Sequence, residues 1–285
     1  MPQEVGQHGS RPLYGRIALV RPTSAPAVRA YSGAVPTLLF SDPAGAAANE
    51  DAAGMLGDVA VLLDGAGVPQ RFRAGCRHNV AWFSHTLAAH LLTRAQDPAI
   101  TLREALAGAI AAVRALHVGD CDLAAGSPSA TVVAARRRED HLEHLVLCDS
   151  ALLLRHRDGR AERISDLRID EVVRTETTAE SIEARRNAPG GFWVARHEEE
   201  AAAQALVGRT PLSSLASAHL VSDGITRAVD LLGLYDDVTL ARALETDPRG
   251  VVRRLRRAED ALEVDRRPRK PHDDATVLTF SLGRG

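Results

Sequence analysis

Apolar residues in this chain fall into short unbroken runs and into spaced sets between them. The clearest run is Val59-Ala60-Val61-Leu62-Leu63, followed by Asp64-Gly65-Ala66-Gly67. Consecutive branched apolar residues predict a short strand buried on both faces. An Asp-Gly step after a strand is also a common hairpin signal, so a plain turn is an open alternative there. The arrangement of an apolar strand closing on an acid returns at Leu145-Val146-Leu147-Cys148-Asp149-Ser150 and at Ala218-His219-Leu220-Val221-Ser222-Asp223-Gly224. Its mirror image is Asp273-Asp274-Ala275-Thr276-Val277, where the acids precede the strand.

The spaced sets predict helices. Residues 76–95 place Val80, Phe83, Leu87 and Leu91 on one face, and Thr101-Leu102-Arg103-Glu104 is a capping box opening a second helix to about His117. Strands are expected at 16–20, 37–40, 129–135, 143–148, 151–156 and 161–164, the last two joined by a turn at Arg157-Asp158-Gly159-Arg160. Residues 44–53 read as a tight loop, and the charge run 136–140 as a solvated turn. A polar stretch at 171–186 is compatible with a helix, and 187–192 with a loop. Glu198-Glu199-Glu200 reads as the acidic start of an Ala-rich helix over 201–207. Helices at 225–234, 238–244 and 251–262 precede a final strand at 275–282. Arg253, Arg254, Arg256 and Arg257 on the last helix read as a salt-bridged solvent face. Strands, a helix pair, strands and helices again do not make a βαβ alternation. They predict antiparallel sheets with helices outside, an α+β class. Without repeat or linker, one domain over 16–285 is expected after a loose polar leader at 1–15.

Composition removes several partners. A formal net charge of −2 gives no basic field for nucleic acid or an anionic membrane. No apolar run reaches a membrane span and no signal-peptide core is present, so a cytoplasmic location is expected. Abundant Ala and Arg suggest a high-GC bacterial genome. Cys76, Cys121 and Cys148 match neither a disulfide framework nor a zinc spacing, and reduced thiols are the plain inference. Histidines 85, 90 and 117 lack an i, i+4 metal pair and read as structural or solvated. The acids behave differently. Several Asp on rigid strand ends, with no Lys among them, would repel one another unless a cation sits between them. Oxygen ligands suit hard divalent ions such as Mg or Mn.

Taken in order, Asn49-Glu50-Asp51, Asp64-Gly65, the strand Gly126-x-x-x-Ala130-Thr131, Asp149-Ser150, Ser222-Asp223-Gly224 and Asp273-Asp274-Ala275-Thr276-Val277 resemble the motifs of the PPM family, the metal-dependent type 2C Ser/Thr protein phosphatases. The resemblance spans about residues 35–282. It implies a four-layer α-β-β-α sandwich, two antiparallel sheets flanked by helix pairs, with metals in a cleft at one end. Asp64 then resembles the aspartate bridging two Mn or Mg ions, and the Gly65 carbonyl a further ligand. Asp223 and Asp273 resemble the other ligands, and Asp64, Asp223 and Asp273 together the catalytic set. Asp149 matches an acid associated with a third, looser ion. Asp51 matches one acting through water or from behind the ligands, and Glu50 belongs to the same motif.

The implied chemistry is phosphomonoester hydrolysis by hydroxide from a bridging water acidified by both ions. Phosphoserine and phosphothreonine in proteins are the implied substrates. A small phosphorylated metabolite, and a non-catalytic regulatory module retaining the fold, are the alternatives. Three retained acids argue against the latter. None of the cysteines is followed by the Arg that a thiol phosphatase needs. The chain departs from the family pattern at four places: Ala46 stands where an Arg usually grips phosphate, Gly67-Val68 replaces Gly-Gly, Cys148 replaces a Gly and Asp274 an Asn. Arg185-Arg186, near the flap at 171–191, could replace the missing grip.

Overall fold

The apolar run Val59–Leu63 is a strand in which every residue is buried, because both of its faces are covered. Val59, Val61 and Leu63 pack under helices, while Ala60 and Leu62 point into a second core between two sheets. The computed structural model describes residues 37–280 and 282, apart from 46, 67, 68, 118, 120 and 269. The expectations for the leader at 1–15, the strand at 16–20, Ala46 and Gly67-Val68 therefore lie outside the described residues. The described residues belong to one compact unit, Ala34–Gly285.

In chain order the elements are β1 (Leu38–Asp42), β2 (Ala52–Leu56), β3 (Val59–Leu63), α1 (Val80–Arg94), α2 (Leu102–Ala115), β4 (Val132–Arg137), β5 (His141–Leu147), β6 (Ala151–His156), β7 (Ala161–Ile164), α3 (Arg168–Thr175), α4 (Ala179–Glu183), β8 (Leu206–Pro211), β9 (Leu215–Val221), α5 (Asp223–Asp230), α6 (Asp237–Thr246), α7 (Pro248–Asp260) and β10 (Ala275–Phe280). Among the described residues these strands make two five-stranded antiparallel sheets, ordered β1-β10-β9-β6-β7 and β2-β3-β4-β5-β8. The sheets share a core of Leu62, Val133, Val146, Leu152, Leu220 and Phe280. α1 and α2 cover one outer face through Phe83, Leu87, Leu106 and Ile110. α5, α6 and α7 cover the other through Ile225, Leu240, Leu244 and Leu255. The expected four-layer sandwich is what forms, with three helices rather than a pair on the second face. No helix among the described residues is long and apolar enough to cross a membrane.

Three local expectations change. α1 starts at Val80, where the Asn79 side chain accepts the Trp82 N–H at 2.7 Å, so Cys76 and His78 sit in the loop before it. The Ala-rich stretch is a 3-10 turn, Glu199–Gln204, and it leads into an edge strand, β8, paired with β5. The Leu206 and Val207 side chains of β8 are exposed, so burial leaves no periodic signature to read. Arg136, expected in a solvated turn, is buried. Its guanidinium donates to the carbonyls of Ala95, Asp97 and Ile100 and to Glu143, closing the chain between α1 and α2. The basic face of α7 is salt-bridged as expected, through Arg253–Asp247 and Arg256 with Asp42 and Glu259.

Candidate active site

Antiparallel pairing brings the acid-bearing strand ends to one end of the sandwich. Asp64 follows β3 directly, and its backbone is clamped to β4: its N–H donates to Thr131 Oγ1 at 3.3 Å and its carbonyl accepts the Thr131 N–H at 2.8 Å. Thr131 is itself fixed by Ser150, Oγ to Oγ 2.6 Å. Asp51 immediately precedes β2, whose first residue Ala52 lies opposite Leu63, so Asp51 and Asp64 are neighbours across the hairpin. Asp149 lies in the tight turn from β5 to β6, Asp223 opens α5, and Asp273 precedes β10.

Asp64, Gly65, Asp149, Asp223 and Asp273 line one cavity of about 180 Å³, together with Thr131, Arg186 and Lys270. Asp149 and Asp223 also face an adjoining space of about 500 Å³ containing Asp170, Arg163 and Arg227. Asp51 does not line the first cavity. It is buried behind it, and neither of its carboxylate oxygens accepts a hydrogen bond of normal geometry, although the Thr276 and Ser222 hydroxyls lie near. Glu50 contributes its backbone N–H to Asp274 Oδ2 at 2.7 Å.

Burial, followed by the charges of Asp223, Asp51 and Asp149, pushes the Asp64 carboxyl well above the usual carboxylate range. Asp223 is raised by burial and by Asp273, and lies within hydrogen-bond reach of Asp64. Burial and neighbouring acids push Asp51 and Asp149 each up to about 7. A packed set of carboxylate oxygens, with both oxygens of the neighbouring Asp51 orphaned and Cys148 the one sulfur among the lining residues, fits hard divalent ions.

The expectation that no Lys lies among the acids is corrected. Lys270 is the only lysine of the chain, and its Nζ sits 3.1 Å from Asp273 Oδ1. Arg227 donates to the other oxygen of Asp273 at 2.7 Å. Asp273 would therefore have to share its oxygens between these cations and an ion. Lys270 was readable as a cation three residues before Asp273; Arg227 is brought in by α5 and had no local signal.

Two departures from the family pattern have physical reasons here. Cys148 stands at φ 70°, the left-handed region where glycine is unstrained, so this position holds a bulkier residue at a cost. Its buried side chain packs with Val172, Phe192 and Val194, and its thiol interacts with Asp149. Asp274 accepts the N–H of Ala44 on one oxygen and that of Glu50 on the other, both at 2.7 Å. A carboxylate can accept both, whereas an amide has only one accepting oxygen. Gly224 is required for a different reason: a Cβ there would stand 2.0 Å from the Asp274 carbonyl oxygen. Gly224→Ala is expected to destabilise the protein by about 1–3 kcal/mol in chemical denaturation, and unchanged stability would show that β10 can move aside.

Of the arginine pair, Arg186 lines the cavity. Its Nε donates to Glu183 at 2.8 Å, its Nη1 to Ser129 Oγ at 3.1 Å, and its guanidinium stands 5.0 Å from the Phe192 ring centroid. Arg185 is not among the lining residues and pairs with Glu176.

A family model described as protein phosphatase 2C matches residues 45–263. No curated protein sequence matches the chain. Among solved structures the chain is similar to the serine/threonine phosphatase Stp1 from Staphylococcus aureus, with 17% identity and a TM-score of 0.56 over 87% of this chain and 95% of that one. It is also similar to the serine/threonine phosphatase PstP/Ppp of Mycobacterium tuberculosis, at 18% identity and a TM-score of 0.55, covering 86% and 97% of the two chains. A structure of the PstP catalytic domain in complex with two manganese ions matches at 16% identity and a TM-score of 0.53, over 87% and 98%. These likenesses show the same sandwich, and the family match covers most of its length. The chain belongs to the protein phosphatase 2C family of metal-dependent serine/threonine phosphatases.

Proposed function

We propose that this phosphatase acts on phosphoserine and phosphothreonine in cytoplasmic proteins, using two Mn or Mg ions. Asp64, the Gly65 carbonyl, Asp223 and Asp273 would hold them, Asp149 would serve a third, weaker ion, and Asp51 would support the set from behind. The observation that carries this reading is the mutual approach of Asp64 and Asp223, buried acids within hydrogen-bond reach of each other that line one cavity. The two manganese ions in the PstP complex support it. Such ions, when bound, polarise phosphoryl oxygens and acidify an attacking water.

The chain's own residues do the rest. Thr131 and Ser150 fix the backbone of Asp64. Lys270 and Arg227 set the orientation of Asp273. Arg186, held by Glu183 and Ser129, presents a fixed cation to the cavity and takes the phosphate-gripping role. The adjoining cavity beside Asp149 and Asp223 gives a peptide flanking the phosphoryl group somewhere to lie.

The test compares phosphate release from phosphothreonine peptides with release from sugar and nucleotide phosphates, with manganese and with chelator. Chelator should abolish turnover, and peptides should be the better substrates. Arg186→Ala should raise KM for an aryl phosphate about tenfold with a smaller change in kcat, since a fixed cation contributes mostly uniform binding. Arg186→Lys should recover part of the loss. Activity that persists in chelator would overturn the metal assignment, preference for a small phosphate would overturn the substrate, and an unchanged KM in Arg186→Ala would overturn the grip.

A further inference from the structure

Away from the carboxylate cavity, the loop before α1 and the segment after α2 bring four soft donors together. Cys76 Sγ lies 3.5 Å from His78 Nδ1, 3.4 Å from His117 Nδ1 and 3.6 Å from Cys121 Sγ. His78 Nδ1 lies 3.2 Å from His117 Nδ1 and 3.7 Å from Cys121 Sγ. All four donor atoms are within 4.8 Å of one another. We propose that Cys76, His78, His117 and Cys121 bind one zinc ion in a closed tetrahedral site that staples the loop following Asp64-Gly65 to the C-terminal end of α2.

The distances carry the argument. Zinc–sulfur bonds of about 2.3 Å and zinc–nitrogen bonds of about 2.0–2.1 Å, at tetrahedral angles, set donor–donor edges of about 3.8 Å for S–S, about 3.6 Å for S–N and about 3.3 Å for N–N. Five of the six separations fall within about 0.2 Å of the matching edge, and the sixth, between His117 and Cys121, lies within 4.8 Å. Pairwise S–H···N hydrogen bonds account for single contacts of this kind, but do not require four donors to face one point.

The surroundings hold the donors in place. The Trp82 ring stacks on His78 with centroids 3.9 Å apart and 21° between planes, and His117 meets both rings edge-on. The His78 backbone N–H approaches Cys76 Sγ at 3.4 Å, a contact that favours a thiolate. The two segments touch at glycine distance. The Asp122 N–H donates to the Gly75 carbonyl at 2.8 Å, and a Cβ on Gly75 would stand 1.9 Å from the Asp122 oxygen. Cys76 and His117 are buried.

Charge and softness select the ion. Two thiolates and two neutral imidazoles balance a dication; the two thiol protons leave to solvent, and nothing is oxidised or reduced. Sulfur and imidazole prefer zinc, while the carboxylate cavity prefers Mg or Mn, so one chain sorts two metal classes. Four protein ligands leave no position for substrate, which makes the site structural. The expectation that His117 is merely structural or solvated, and that the cysteines match no zinc arrangement, is replaced by this reading.

The full chain, purified without a polyhistidine tag, should carry about one zinc per chain by elemental analysis. That zinc should survive dialysis against a chelator mild enough to remove only exchangeable manganese. Cobalt(II) added to the zinc-stripped wild type should give the near-ultraviolet sulfur-to-metal band and the visible bands of a tetrahedral site. Cys76→Ser combined with Cys121→Ser should lower bound zinc more than about tenfold and abolish the sulfur band, while Asp64→Asn keeps both. Zinc that departs in Asp64→Asn and stays in the cysteine variant would overturn the proposal. So would cobalt binding to wild-type protein without a sulfur band, a result independent of whether any variant folds.

Discussion

Asp64→Asn is expected to lower phosphatase activity by more than about a hundredfold and yet to make the cation-free protein harder to unfold. Loss of residues that merely support a metal ligand costs about 10–100-fold, so loss of Asp64, proposed above as a direct ligand of both ions, should exceed that. The stabilisation has the opposite origin. Asp64 is crowded by Asp223, Asp51 and Asp149, so without a cation its carboxyl must either hold a proton or bear charge against them, and a neutral isostere does neither. The pH dependence has a definite sign. The raised carboxyls hold protons in the fold that the unfolded chain has released above pH about 4. The cation-free wild type therefore loses stability as pH rises from there through about 7, where Asp51 and Asp149 ionise. The amide of the Asp64→Asn variant cannot ionise, so its advantage should widen between about pH 5.5 and about pH 8. Manganese should reverse the order by stabilising only the wild type strongly. Thermal melts with chelator and with manganese at both pH values check this, and a less stable Asp64→Asn in chelator at the higher pH would sink the account.

Acid should destabilise the protein through His219, which does not line the carboxylate cavity. This residue is fully buried on β9, with Nδ1 2.9 Å from Thr279 Oγ1 and Nε2 3.0 Å from Ser217 Oγ, and Ser217 in turn donates to Glu245 on α6. Burial, only partly opposed by the Glu245 charge, holds its pKa down to about 4. Between that value and the ordinary 6.5 the unfolded chain carries the extra proton, so stability is complete above pH about 6.5 and falls as pH drops toward 4. At about 1.4 kcal/mol per pH unit, the loss is on the order of 3 kcal/mol at about pH 4. His219→Gln lacks this titration. It should be less stable than wild type at about pH 7, and the gap should shrink by roughly that amount at about pH 4. Denaturant unfolding of both proteins across the range measures the difference, in which the other titrating groups cancel. A constant gap would mean that His219 stays accessible to protons in the fold.

The class of fold and the acid set were readable because both are local. An unbroken apolar run such as 59–63, too short for a buried helix, reads as a strand covered on two sides, and β6, β7 and the capping box of α2 carry equally local signatures. Each acid sits at the end of such a run, and antiparallel pairing places those ends together. The tertiary structure alone decided the rest. β8 is an edge strand with exposed apolar residues, so burial imposed no period on it. Arg136 looked like solvated charge, and only the carbonyls of Ala95, Asp97 and Ile100, more than thirty positions away, make its burial favourable. Arg227 reaches Asp273 because α5 folds against the start of β10. Cys76-Arg77-His78 and His117-x-x-x-Cys121 are two half-sites, visible as pairs had cysteines been counted together with histidines. Neither half can close around an ion by itself. The whole of α1 and α2 lies between them, and it is their antiparallel packing under the sheet that makes four donors from two distant segments meet at one point.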